Sequence, residues 1–338
     1  MELIYIKTDD DGVVTSGYLS NYEATFVVSS DVDYVTNTFE IDMILPEKYE
    51  DLFWSENGIS TIVFVEGTEF GGEISGSVID IEANTITYTG RTWRGTMSQY
   101  IVEPPAGQDY LVVSGNLKDS LDLLDWNSHV QIASTTYTGT TYQFNRYVTV
   151  FEGASSLLTA AQSNLRMAIA FESNGTTGTA TLTIQPTRDL TNLVEVSQDY
   201  NDQISLKITR DGNTPKRLIC LGQGELKDRQ VINLYADDDW NVSTTAIPGA
   251  YPVEVYDNNG STALQADGTK HFKELIHNHQ QIEVTINDID VQLGDVISAK
   301  DVLTGQLVSA EITSITWHCS NNGEYQSESY EYRTEVLM

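Results

Sequence analysis

His277 and His279 have the spacing of a metal-binding pair. On a strand, residues separated by one position share a face, and two such imidazoles could chelate a metal. The surrounding residues 267–281, however, have apolar side chains at helical spacing, and on a helix the two histidines would point about 200° apart. We therefore predict a polar helix end here, with no metal and no cofactor.

Patterns that would support enzymatic chemistry are incomplete. Gly222 and Gly224 follow an apolar stretch like the start of a dinucleotide-binding loop, but Lys227 stands where the third glycine belongs. Cys319 adjoins His318, yet neighbouring strand residues point to opposite faces and cannot cooperate. The sequence has no Gly-x-Ser-x-Gly motif, and its many carboxylates mark out no particular pair. We expect no catalytic residue and no enzymatic activity.

A basic and aromatic cluster, Arg91, Trp93 and Arg94, stands out in an acidic region. The first 110 residues contain four basic and twenty acidic side chains, so half of the positive charge lies within positions 91–94. A guanidinium can pair bidentately with a carboxylate and stack on an aromatic ring. On a strand, Arg91 and Trp93 would share one face and Arg94 the other, so one arginine could meet a neighbouring subunit or a channel. Pairing of Arg91 within its own domain is equally consistent. We name all three as subunit-interface candidates.

The overall composition is that of a folded and strongly acidic protein. The 338 residues are 40% hydrophobic, which argues against disorder, and the net charge of −31 is spread along the chain. Tight binding to free nucleic acid is unexpected, because it needs clustered Lys and Arg. No segment approaches the roughly 20 apolar residues of a membrane span, and we expect no signal peptide. The two cysteines are expected to be buried free thiols.

Alternating apolar and polar residues dominate the sequence and predict a mainly β protein. The first hundred residues resemble one antiparallel barrel or sandwich, with a hairpin turning at Ala83-Asn84 and a strand at 61–65 that is covered on both sides. Helical spacing is restricted to residues 116–127, 154–170 and 267–281. Pro104-Pro105 marks a domain exit, because two prolines hold the chain extended. A second boundary is expected near 185–202, and an irregular loop over 237–252.

Four stretches in the same order resemble the tail-hub (baseplate-hub or tail-associated) proteins of long-tailed bacteriophages and prophages. The first ends a strand with the basic cluster and the Pro-Pro exit, and the second follows a helix with a "TRDLT" turn. The third contains "GQGELKDR", and the last contains "LGD" near its start. They are residues 89–115, 154–191, 218–229 and 288–330. Two departures are that Leu226 replaces a glycine of the family pattern, and that residues 237–266 match nothing in it.

The resemblance implies a mainly β fold with two tube-type antiparallel β-barrel domains and smaller inserted α/β subdomains. We assign the first barrel to residues 1–107 and an inserted domain with helices and strands to 108–196. The second barrel would combine 197–236 with 281–338, and 237–280 would form an insertion subdomain.

The same resemblance implies a structural virion protein, a homotrimeric hub at the distal end of the tail tube. Six barrels from three subunits would surround a channel and adapt the sixfold tube to a threefold tip. Its partners would be a distal tail protein ring or tube protein, the tape-measure protein, and tail-tip or receptor-binding proteins. The location would be the tail tip of the virion, after assembly in the cytoplasm of the host bacterium. DNA would pass without specific binding, along an acidic wall from residues 1–110 and 281–338 that repels its phosphates.

Two alternatives remain. One is a hub that also degrades cell wall, although eight residues after Tyr330 leave little room for a lytic extension. The other is an unrelated β-rich carbohydrate-binding surface protein, for which a signal peptide would be expected. A size measurement in solution separates a trimeric hub from a monomer with sugar affinity.

Overall fold

The structure is a computed structural model, and its strands and helices divide into two compact units. The first unit contains residues 1–194, 285–297 and 311–333, and the second contains 195–284, 298–310 and 334–338. The structure describes residues 1–8, 12–32, 36–45, 61–126, 129–192, 195–197, 204–210, 212–277, 280–286, 291–300 and 307–336.

The described part of the first unit is made mostly of antiparallel strands, with three helices. Its elements are β1 (Ile4–Thr8), β2 (Val14–Tyr18), β3 (Tyr22–Ser29), β4 (Thr38–Ile44), β5 (Thr61–Phe64), β6 (Gly71–Asp80), β7 (Thr85–Thr92), α1 (Trp93–Met97), β8 (Val112–Asn116), α2 (Leu117–Leu121), β9 (Val130–Ile132), β10 (Thr138–Gln143), α3 (Val150–Ala161), β11 (Leu165–Ser173) and β12 (Gly178–Pro186). Later elements are β13 (Glu195–Ser197), β14 (Ile204–Arg210), β15 (Arg217–Leu221), β16 (Val231–Ala236), β17 (Val242–Ser243), β18 (Val253–Asp257), α4 (Leu264–His277), β19 (Gln280–Ile286), β20 (Val296–Lys300), β21 (Leu307–Asn321) and β22 (Gln326–Val336).

The large sheet of the first unit runs in the order β22-β21-β3-β4-β7-β6-β5-β1-β2, antiparallel from β21 onward. Alternate side chains of β3 and β7 are buried, as the period-2 pattern predicts, and all four residues of β5 are buried. The mainly β fold is therefore confirmed. Over the described residues the first and last strands of this sheet are not paired with each other. Closure into a barrel therefore remains a prediction.

The hairpin predicted at Ala83-Asn84 joins β6 to β7. Asn84 adopts a left-handed backbone with φ of 57°, a conformation that asparagine tolerates better than most residues. The backbone N–H of Ala83 donates to Asp80 Oδ1 at 2.9 Å, which fixes the start of the turn. Local sequence chemistry therefore determines this turn.

Helix α3 and the small sheet β11-β12-β9 supply much of the core of the first unit. Thr149 caps α3 by accepting from the backbone N–H of Glu152 at 3.1 Å. The helix buries one side and packs it on the inward side chains of β11. These helix residues are Val150, Phe151, Ala154, Leu157 and Leu158.

The helix predicted over 154–170 is wrong in its second half. Helix α3 ends at Ala161, and Leu165 begins β11. Leu165 and Ala168 continue the helical spacing of the preceding residues, but Leu165, Met167, Ile169 and Phe171 also alternate with period 2. Nine residues of β11 pair with β12, and this non-local ladder decides between the two patterns.

The other two predicted helices also have different bounds. The helix expected over 116–127 is α2, which ends at Leu121, and the Trp126 indole donates to the Leu121 carbonyl beyond its end. The helix expected over 267–281 is α4, which begins earlier and ends at His277, before β19. Among the described residues, no helix is long and apolar enough to cross a membrane.

The second unit contains a four-stranded sheet in the order β17-β16-β15-β18, with α4 packed on one face. Its core consists of Leu218, Cys220, Leu234, Ala236, Leu264, Phe272 and Ile276. Apart from β17, residues 237–252 form turns and coil, as predicted. Cys220 here and Cys319 in the first unit are buried free thiols. The four-part domain division remains a prediction.

Candidate functional site

The large sheet of the first unit turns one set of alternating side chains outward on β21, β3, β4, β7 and β6. Strand register places them in rows, so that Thr25 lies between His318 and Glu40, with Thr89 beyond. We call this surface the polar face. Apart from Ile44, Val78 and Asp80 at the hairpin end of the sheet, it comprises Glu23, Thr25, Val27, Thr38, Glu40, Asp42, Glu73, Thr85, Thr87, Thr89, Arg91, Thr316, His318, Ser320 and, from β22, Glu331.

The polar face is acidic and rich in hydroxyl groups. Five of its members are carboxylates, and Arg91 is the one arginine or lysine among them. The hydroxyls bond to their neighbours, since Thr87 donates to Asp42 and Thr25 Oγ1 lies 3.0 Å from His318 Nδ1. A surface of this kind repels phosphate and offers few cations that could replace counterions on a nucleic acid.

Two shallow grooves open on the polar face. One, of about 550 Å³, is lined by Glu40, Thr89 and Arg91, and the other, of about 440 Å³, by Glu23, Glu40 and Asp42. Glu40 borders both, so the grooves adjoin. The His318 imidazole lies on the polar face, and its Nε2 lies 3.6 Å from a Glu331 carboxylate oxygen.

Arg91, Trp93 and Arg94 do not follow the strand geometry assumed from the sequence. Strand β7 ends at Thr92 and Trp93 begins α1, so the opposition of Arg94 to the other two residues does not apply. Gly95 allows this close turn, because a Cβ there would lie 2.1 Å from the Asn37 carbonyl oxygen. Arg91 is half-buried on the polar face, whereas Trp93 and Arg94 are buried.

The carboxylate pairing and the aromatic contact expected of this cluster occur at Arg94. Its guanidinium makes a bidentate ion pair with Glu69 and donates from Nη2 to the Met167 carbonyl at 2.7 Å. It also lies 5.9 Å from the centre of the Phe151 ring. Trp93 stacks on Phe171 with ring centroids 4.7 Å apart. A subunit-interface role for the cluster remains a prediction, and Arg91 is the member that lies at a surface.

The structure contains a second ionic cluster that was not predicted from the sequence. Asp295 is fully buried and accepts from Arg188 Nε at 3.0 Å, while Arg166 Nη2 lies 3.1 Å from the same carboxylate. The backbone N–H of Gln292 donates to it at 2.6 Å. Gly294, with φ of +83°, lies against Arg166, where a Cβ would come within 2.9 Å of the arginine side chain.

This cluster joins two of the family-like stretches. Arg188 belongs to the "TRDLT" turn after β12, and Asp295 to the "LGD" of the closing stretch. Burial lowers the pKa of the Arg166 guanidinium, and the adjacent Asp295 carboxylate opposes that shift. Each of the cluster's carboxylate contacts is made within the first unit.

A cleft of about 590 Å³ opens on the other side of the large sheet from the polar face. Arg94 and Arg166 both line it, together with Glu69 and Glu328. Its remaining lining is largely apolar and comes from Met1, residues 67–70, β3, β11, β12, β21, β22 and residues 291–293.

The described residues contain no group of three or more His, Cys, Asp or Glu side chains arranged to hold a metal ion. His279 and the side chain of His277 lie outside the described residues. Burial raises the pKa of the Cys220 thiol, and it raises that of Cys319 to about 12, which disfavours thiolate chemistry at either position.

No protein-family model and no curated protein matches this sequence. Solved structures do match over the whole chain. The 43 kDa tail protein of prophage MuSo2 from Shewanella oneidensis has a TM-score of 0.60 at 14% identity, covering 100% of this chain and 98% of that one. The tail protein from Neisseria meningitidis MC58 has a TM-score of 0.55 at 14% identity, covering 99% and 97%. Prophage tail protein gp18 from Listeria monocytogenes EGD-e has a TM-score of 0.54 at 11% identity, covering 100% and 95%.

These likenesses establish the fold. Each covers nearly the full length of both chains, so the similarity includes both units and not a single shared domain. The resemblance to phage tail proteins inferred from the four sequence stretches is therefore confirmed at the level of fold.

Proposed function

We propose that this chain, which has the fold of prophage tail proteins, is a structural component of a phage or prophage tail. Its specific role is a homotrimeric hub at the distal end of the tail tube, where it adapts the sixfold tube to a threefold tip. The observation that carries the proposal is the full-length likeness to three prophage or bacterial tail proteins. It agrees with the family resemblance of residues 89–115 and 288–330 in the sequence.

The polar face supplies the wall of the DNA channel in this proposal. Its side chains come from residues 23–91 and 316–331, which lie within the two segments that the sequence predicts for an acidic wall. Duplex DNA carries about one negative charge per 1.7 Å of its axis, so basic side chains along a channel would hold it through counterion release. The polar face instead has five carboxylates and one arginine, so it is acidic. DNA passes along it without specific binding.

Acidic subunits repel one another when they assemble. Three copies, each with a net charge of −31, carry −93. Salt at physiological concentration screens charges beyond about 8 Å, so the long-range part of this repulsion is weak under those conditions. Short-range contacts must stabilise the trimer, and Arg91 is the cluster member positioned to contribute one.

The partners in this proposal are other tail proteins. They are a distal tail protein ring or tube protein, the tape-measure protein, and tail-tip or receptor-binding proteins. The chain would act at the tail tip of the virion, after assembly in the cytoplasm of the host, without enzymatic activity. Two barrel domains, 1–107 and 197–236 with 281–338, would line the channel, and 108–196 and 237–280 would project from it.

A mass measurement in solution tests the proposal. At physiological salt the protein should sediment as a species of about 112.5 kDa, three times the 37.5 kDa of one chain. Electron microscopy down the particle axis should show a ring with a central channel and threefold symmetry. A protein that stays monomeric at every salt concentration and at tens of micromolar would contradict the hub.

A further inference from the structure

The tip of the β6–β7 hairpin carries exposed aliphatic side chains. Ile81 is 85% exposed, Val78 and Ile79 at the end of β6 are also exposed, and Ile44 at the end of β4 is 67% exposed. Ile44 and Asp80 both pair with Thr85, so these residues lie close together at one end of the sheet. Grouped aliphatic exposure of this kind marks an interaction surface. We call residues 78–82 and Ile44 the hairpin tip.

The charge on the hairpin tip restricts what can cover it. Asp80 and Glu82 are exposed beside the aliphatic side chains, and residues 71–90 contain no Lys or Arg. Contact between two identical tips would bring four carboxylates together, which is unfavourable. The complementary surface must therefore be apolar and must not be acidic.

The cleft on the other side of the sheet from the polar face has those properties. Its apolar lining includes Phe70, Val291, Leu293, Ile315, Tyr330 and Tyr332. Two guanidinium groups and the N-terminal ammonium of Met1, which pairs with Glu328, outnumber its two carboxylates, so the cleft has no excess of negative charge in a chain whose net charge is −31. Arg166, whose side chain is 9% exposed, has a buried Nε without a hydrogen-bond partner. By contrast, the groove beside Glu23 and Asp42 on the polar face is strongly acidic.

The hairpin tip of one chain cannot fill the cleft of the same chain. Phe70 lines the cleft just before β6 begins, and Ile81 follows the end of that strand. Eleven residues of extended chain at about 3.3 Å each separate them by roughly 35 Å. A contact between these two surfaces must therefore join different molecules. It is heterologous, and it closes into a ring when the rotation between copies permits.

We propose that in the homotrimer the hairpin tip of each subunit docks into the cleft of the next subunit. The inference rests on the proposed trimeric function and names the contact that holds it together. The aliphatic side chains of the tip cover the apolar lining of the cleft, and Asp80 and Glu82 lie near Arg94 and Arg166. Each subunit gives one tip and receives one, so no tip remains exposed in the closed ring.

Disulfide cross-linking tests this contact. Ile81→Cys places a thiol on the tip, and Thr183→Cys places one on the exposed wall of the cleft. The native thiols are buried, so they do not compete. The two purified variants, mixed and oxidised with oxidised glutathione, should give a covalent dimer near 75 kDa, twice the 37.5 kDa of one chain. Thr159→Cys on the exposed side of α3 is the matched control and should give no dimer with Ile81→Cys.

A second measurement follows assembly by analytical ultracentrifugation. Ile81→Asp should raise the concentration at which trimers half-dissociate by about tenfold or more, because it removes a buried aliphatic contact and adds a carboxylate. Thr159→Asp should leave it unchanged.

The two proposals fail in different ways. A wild-type trimer that gives no Ile81–Thr183 cross-link, and that tolerates Ile81→Asp, would overturn the tip-and-cleft contact and leave the hub standing. If the cross-link forms but the protein assembles into open-ended oligomers, the contact is supported and the closed trimer is overturned. A protein that neither oligomerises nor cross-links would overturn both.

Discussion

Replacing Asp295 with alanine should destabilise the first unit strongly. The carboxylate is fully buried and contacts both Arg166 and Arg188. Removing it leaves Arg166, whose side chain is 9% exposed, as an unpaired buried cation, whereas Arg188 at 37% can turn toward water. Breaking a buried pair in this way costs about 3–5 kcal/mol. Folded domains are stable by roughly 5–15 kcal/mol, so the variant should lose a large share of its free energy of unfolding.

Chemical denaturation measures this effect. The urea midpoint of Asp295→Ala should fall while the slope of free energy against urea stays constant. Tryptophan fluorescence and circular dichroism should be followed together, because the two units can unfold separately. Asp122→Ala is the matched control, since its ion pair with Lys118 is exposed and is worth under about 1 kcal/mol.

The double variant Asp295→Leu with Arg166→Met provides the sharper test. It removes the carboxylate together with the buried cation, so it should recover most of the stability that Asp295→Ala loses. If Asp295→Ala costs less than about 1 kcal/mol, or if the double variant is no better than the single one, the cluster does not stabilise the fold as its geometry suggests.

Four further outcomes are expected. Trimer formation should be weaker at 20 mM than at 150 mM salt by light scattering, because screening relieves subunit repulsion, and equal assembly at both would remove that reason. Arg91→Glu should weaken the trimer without lowering the melting temperature, whereas Arg94→Glu should lower it, because it replaces the cation of a buried ion pair with a carboxylate that faces Glu69. Wild-type protein should not bind a labelled DNA duplex at 50 mM salt by fluorescence anisotropy, while Glu23→Lys with Asp42→Lys should bind it with an affinity that falls as salt rises. Because burial raises the pKa of both thiols, that of Cys319 to about 12, neither Cys220 nor Cys319 should react with Ellman's reagent at pH 8 until urea unfolds the chain, and rapid labelling of folded protein would contradict their burial.

The strands of the first unit could be predicted because their signals are local. Period-2 alternation marks β3 and β7, and Asn84 marks the turn between β6 and β7. The sequence could not place the end of α3, because Leu165 and Ala168 fit a helix as well as a strand. Nine residues paired between β11 and β12 made that choice, and pairing with another segment is not encoded in the spacing of either one.

The sequence alone determined that this protein is mainly β, strongly acidic and similar to tail hubs, since composition, alternation and motif order are properties of the chain. It also identified an arginine, next to an aromatic residue, whose guanidinium would need a carboxylate partner. Only the tertiary structure decided that Arg94 takes Glu69 as that partner and that Asp295 is buried between Arg166 and Arg188. Asp295 lies 107 residues from Arg188, and in the sequence it looks like any solvated carboxylate. Whether a charge is buried depends on which distant segments pack around it, and that packing exists only in the folded chain.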